Sequence, residues 1–80
     1  MNAREAVDWI AELFEEPSGR LKADTMRADI PSWDSLGTLS LIAGLDERFD
    51  IHLSESEIDG LQCVNDILEI LRRNGKLADS

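Results

Sequence analysis

Trp33-Asp34-Ser35-Leu36-Gly37-Thr38-Leu39-Ser40-Leu41-Ile42-Ala43-Gly44-Leu45-Asp46-Glu47-Arg48-Phe49 is the stretch from which the architecture is read. A helix is expected from around Asp34-Ser35 to Phe49. At ~100° per residue, Leu39, Leu41, Ile42, Leu45 and Phe49 gather in a broad arc on one face. Leu36 falls roughly opposite the centre of that arc. The first turn therefore carries a serine beside a leucine that the core does not need.

Helical periodicity extends outward in both directions. Asn2-Ala-Arg-Glu5 has the form of a capping box, and Ala6, Val7, Ile10, Leu13 and Phe14 follow on one stripe with Trp9 at its edge. Pro17 disfavours helical geometry at Glu16, so this helix is expected over 3–15. Residues 16–33 show no clean period. They hold Pro17, Gly19 and Pro31, with Leu21, Met26, Ile30 and Trp33 spaced as if each drops into the core. Such a stretch reads as a long crossover loop tied down by its anchors.

Beyond Phe49 the alternation of Phe49, Ile51 and Leu53 is too short for a sheet and reads as an extended connector. Ser54-Glu-Ser-Glu57 is a second capping box, opening a short helix over 55–60 that Gly60 stops. A last helix over 64–74 places Val64, Ile67, Leu68 and Leu71 on one stripe. Arg72 and Arg73 in its final turn complement the negative end of its dipole. Three long helices and one short one, without strand partners, make a small all-α bundle of one domain spanning 1–80. A chain of 80 residues leaves no room for a second domain.

Charge narrows the partners. The net charge is −9, and seven acids with one base, Arg48, fall between Asp34 and Asp59. Such a field repels nucleic acid and anionic bilayers and attracts basic protein surfaces. No apolar run approaches the ~18 residues of a membrane span. No basic start followed by an apolar stretch marks a signal peptide, so the cytoplasm is the expected compartment.

Catalysis lacks its parts. His52 is the only histidine, and no G-x-S-x-G elbow or phosphate-cradling glycine loop is present. The acids from Asp46 to Asp59 do not follow a calcium-loop pattern, and no metal ligand set is assigned. Cys63 stands alone, which excludes an internal disulfide and a cysteine-rich zinc site. What remains is Asp34-Ser35-Leu36. On spacing alone, a serine at a helix start is an N-cap. Here an aspartate precedes it, a surplus leucine follows it, and an acidic helix runs away from it.

With these residues the chain resembles the acyl carrier protein family. The run from Trp33 to Ile42 is similar to the family's attachment motif, in which Asp-Ser-Leu opens the second helix. Leu45-Asp-Glu-Arg-Phe49-Asp-Ile-His-Leu53 resembles its usual helix end, and the likeness covers essentially the whole chain. The resemblance implies a carrier and not an enzyme. Ser35 would accept 4′-phosphopantetheine from coenzyme A through a phosphopantetheinyl transferase, and would then hold an acyl or aminoacyl thioester. Asp34 would contact that transferase. Leu36 would anchor partner proteins, and Asp46, Glu47, Asp50, Glu55 and Glu57 would supply the acidic recognition surface. Loading ligases and downstream synthases or transferases with basic docking surfaces are the implied partners, and a monomer is the expected state.

The departures from the family pattern point to a specialised pathway. Fatty-acid-synthesis carriers commonly place acids one and four residues beyond the leucine, where this chain has Gly37 and Ser40. Ala43 and Gly44 extend what reads as a small, uncharged partner-recognition patch. Peptidyl carriers usually have glycines before the serine, whereas this chain has Ser32-Trp33-Asp34. Gly37-Thr38 and Arg48-Phe49-Asp50-Ile51 are similar to D-alanyl carriers, although residues 54–64 are not. A carrier-fold adaptor without the arm and a module clipped from a larger synthase are the alternatives. The Met1 start and short tail weigh against the second.

Overall fold

Among the described residues four α-helices form, in the order that the periodicity predicts. The computed structural model describes residues 1–17 and 19–77. The helices are α1 (Ala3–Leu13), α2 (Ser35–Phe49), α3 (Glu55–Asp59) and α4 (Val64–Arg73), with one 3₁₀ turn at Arg27–Asp29. Both capping boxes close as expected. Asn2 Oδ1 accepts from the Glu5 N–H at 2.8 Å, and Ser54 Oγ accepts from the Glu57 N–H at 3.2 Å. In each, the glutamate accepts in return from the N–H of its capping residue.

The first helix is shorter than its predicted 3–15. Phe14 caps it, and Glu15 turns left-handed at φ 55° while the Glu16 N–H donates back to the Ala11 carbonyl at 2.8 Å. The chain thus leaves the helix one turn ahead of Pro17 through a left-handed C-terminal closure. The short third helix stops at Asp59 and not at 60, with Gly60 as its cap. The last helix ends at Arg73, where the Asn74 side chain donates to the Ile70 carbonyl at 2.7 Å.

α1 lies against both α2 and α4. Its Ala6 and Ile10 and the capping Phe14 are fully buried and meet Leu41 and Leu45 of α2 and Ile67, Leu68 and Leu71 of α4 in one core cluster. Among the described residues no polar or charged side chain is buried. Trp9 meets Phe49 edge to face, and Phe14 stacks on Trp33, each with ring centroids 5.1 Å apart. Those two contacts pin the far ends of α2 to the first helix. Arg48, which interrupts the acids, lies 5.9 Å over Trp9 and 5.7 Å over Phe49.

The long α1–α2 loop is held by anchors and by backbone pairing. Leu21, Ile30 and Trp33 are buried as their spacing suggests. Met26 is not; it is 47% exposed. Its backbone forms an isolated antiparallel bridge with Cys63, flanked by Arg27 N–H to Gln62 O at 2.7 Å and Val64 N–H to Thr25 O at 3.0 Å. The pairing holds the Met26 backbone against the α3–α4 connector without burying its side chain.

Candidate functional site

The first turn of α2 is built by its cap. Asp34 has extended backbone, and its Oδ1 accepts from the Gly37 N–H at 2.9 Å. The cap is therefore Asp34, which leaves Ser35 in the first helical position with its hydroxyl exposed and unbonded among the described residues. The N–H groups of Ser35 and Leu36 also make no hydrogen bond there, since the first N–H groups of a helix have no carbonyl four residues back. An exposed hydroxyl, open N–H groups and the positive end of the helix dipole form a setting suited to an anionic phosphodiester. On these grounds the residues present fit a phosphopantetheine linkage at Ser35.

Leu36 projects into solvent, 74% exposed, as its place opposite the core arc predicts. Leu39 departs from expectation. It is 61% exposed, although the arc assigned it to the core. The physical reason is a rotation of the buried face toward Gly37, Leu41, Gly44 and Leu45. A Cβ on Gly37 would lie 1.9 Å from the Ser32 carbonyl oxygen and 3.2 Å from Phe14 Cδ1. A Cβ on Gly44 would lie 3.1 Å from both Trp9 Cζ2 and Leu13 Cδ2. The two glycines let the loop and α1 approach the α2 backbone, which turns Leu39 outward.

Gly37 and Gly44 accordingly do not belong to the partner patch to which their smallness assigned them. Gly37 is buried, and Gly44 faces α1. Ser40 and Ala43 remain exposed beside Leu36 and Leu39. The outer face of α2 is thus an apolar stripe that leads to acids.

Asp46, Glu47 and Asp50 are exposed at the lower end of α2, and Glu55 and Glu57 lie on α3. Glu57 is partly committed to its cap, with its carboxylate bonded to Ser54 N and Oγ at 3.3 and 3.1 Å. The fold also brings His52 between two acids that the sequence reading kept separate from it. Its Nδ1 lies 3.3 Å from Asp46 Oδ1 and its Nε2 3.3 Å from Asp50 Oδ1. Ligand atoms of the three lie within 4.8 Å of one another, all on exposed side chains. The left-handed turn at Asp50, φ 55°, is what folds the connector back to make that approach. Among the described residues, no helix is long and apolar enough to cross a membrane.

Comparison with known proteins bears on the chain and its fold as a whole. No family model matches the chain. It is 28% identical over 69 residues to an acyl carrier protein of Bdellovibrio bacteriovorus, covering 86% of this chain and 88% of that one. It is 29% identical over 62 residues to an acyl carrier protein of Prochlorococcus marinus, covering 78% of each. Its fold superposes with a TM-score of 0.75 on the solution structure of a holo acyl carrier protein from Geobacter metallireducens, at 28% identity, over 92% of this chain and 86% of that one.

Proposed function

We propose, from its likeness in sequence and fold to acyl carrier proteins, that Ser35 is its attachment point for 4′-phosphopantetheine and that it carries acyl or aminoacyl thioesters for a dedicated pathway. The observation that carries the assignment is the first turn of α2. Asp34 supplies the cap, so Ser35 has no structural task that competes with modification. In the transfer, Ser35 Oγ attacks the phosphorus next to the pantetheine of coenzyme A. The bond to adenosine 3′,5′-bisphosphate breaks, and the hydroxyl proton passes to a base of the transferase. The group then supplies a terminal thiol on which a thioester is held. The carrier itself needs no catalytic side chain.

Leu36 and Leu39 give partner enzymes an apolar anchor, and Asp46, Glu47, Asp50 and Glu55 attract basic surfaces around it. The lack of charge at Ser40 and Ala43 supports a specialised set of partners over those of housekeeping fatty-acid synthesis. Incubation with coenzyme A and a broad-specificity transferase is expected to add one phosphopantetheine mass, and Ser35→Ala to abolish it. Equal labelling of Ser35→Ala and parent would overturn the assignment.

A further inference from the structure

Arg27 is unusual among the cations of this acidic chain. Every other lysine and arginine is exposed, whereas Arg27 is half-buried and forms no ion pair among the described residues. Its guanidinium lies 5.4 Å over the Trp33 ring. It donates only two long hydrogen bonds to neutral acceptors, to the Leu61 carbonyl at 3.4 Å and Thr38 Oγ1 at 3.5 Å. A guanidinium has five N–H donors, and partial burial without a carboxylate leaves its charge poorly compensated.

This cation opens onto a groove of ≈ 650 Å³ between the α1–α2 loop and the α3–α4 connector. Met26, Ile30, Trp33 and Leu61 make its apolar walls, with Gln62 beside them. The exposed Met26 side chain is thereby accounted for as part of a wall. Trp33, one of those walls, also has a buried indole N–H without an acceptor. Thr38, which Arg27 touches, stands three residues beyond Ser35, on the adjoining turn of the same helix face. Through its contact with Thr38, Arg27 stands about one helical turn from Ser35, within reach of an arm rooted there.

We infer that the groove receives the end of the loaded arm and favours cargo with an apolar body and a terminal carboxylate, the half-thioester of a dicarboxylic acid. This rests on modification of Ser35. The apolar walls match a methylene chain, and Arg27 matches the carboxylate, with which a guanidinium makes charge-assisted paired hydrogen bonds. Asp59 on the rim repels an anion at its own end and so disfavours other placements of the carboxylate. A terminal ammonium finds like charge at Arg27, which selects against basic aminoacyl cargo.

The test loads the full chain from adipoyl-, heptanoyl- and 6-aminohexanoyl-coenzyme A with a broad-specificity transferase. Mass spectrometry first verifies each product; absence of loading would count against the Ser35 reading and not against the groove. At low salt the adipoyl form is expected to melt higher than the heptanoyl form by about 4 °C, with the 6-aminohexanoyl form no higher than heptanoyl. Adipoyl loading should also shift the Trp33 indole and Gln62 amide NMR signals. Arg27→Gln should remove the adipoyl advantage, and Asp59→Asn, which leaves Arg27 in place, should enlarge it. If Arg27 were only a staple for the loop, Arg27→Gln would lower all three forms equally and keep their spacing. That result, or an adipoyl form that melts at or below the heptanoyl form in the parent, would overturn the inference.

Discussion

The two sides of α2 use small and large residues in opposite senses. On the inner side Gly37 and Gly44 are the points of closest approach, to the Ser32 carbonyl and to Trp9 and Leu13. On the outer side two leucines stand in solvent. Side-chain size alone would assign the faces the other way round. The lesson is that smallness on a helix marks backbone approach, and exposed bulk marks an interaction surface. A helix packs by what its neighbours need to reach, and here they need its backbone.

The comparison breaks most sharply at Gly37. Gly37→Ala is expected to cost about 3 kcal/mol or more in chemical denaturation, because the clash is with backbone and no rotamer change relieves it. A variant within about 0.5 kcal/mol of the parent, the range of ordinary surface substitutions, would show that the inner face is loose.

Asp34 sharpens the boundary between structure and function. Asp34→Ala should lose about 1 kcal/mol through the missing cap, while Asp34→Asn keeps most of the stability because asparagine caps equally well. If aspartate also serves the transferase, Asp34→Asn will melt like the parent and be modified more slowly. Thermal melts beside a modification time course separate the two roles.

The smallest stability effect is expected on the outer face. Leu36→Ala and Leu39→Ala should each shift unfolding by no more than about 0.5 kcal/mol. Each should lower turnover of the loaded carrier by a partner enzyme about tenfold, the size of an interface anchor worth roughly 1.4 kcal/mol. Ser40→Glu with Ala43→Glu should raise turnover by a general ketosynthase without changing the melt. A loss of stability in the leucine variants would return these side chains to the core.

Local signals proved readable where the interaction itself is local. The boxes at Asn2–Glu5 and Ser54–Glu57 join residues three apart, and both are made. The place of Ser35 at a helix start and the outward aim of Leu36 also follow from spacing along one helix. The candidate site was therefore legible as Asp34-Ser35-Leu36, although the division of labour between cap and hydroxyl needed the Asp34–Gly37 bond. Leu39 and Gly37 were misjudged for one shared reason. An arc drawn through large apolar residues leaves out glycines, which weigh nothing in hydropathy and yet set how closely two backbones pack.

By itself the sequence determined the number and order of helices, the two capping boxes and the serine at the head of α2. Each depends on residues within a turn or two of one another, where backbone hydrogen bonding and 3.6-residue periodicity leave few choices. Only the tertiary structure decided the azimuth of α2, the pairing of Met26 with Cys63, the approach of His52 to Asp46 and Asp50, and the seat of Arg27 over Trp33. The Met26–Cys63 pairing and the Arg27–Leu61 bond join segments more than thirty residues apart, while His52 and Arg27 reach near neighbours only where turns fold the chain back. Their geometry comes from how α1, the long loop and the α3–α4 connector share one small core, a steric outcome that no single stretch of chain encodes.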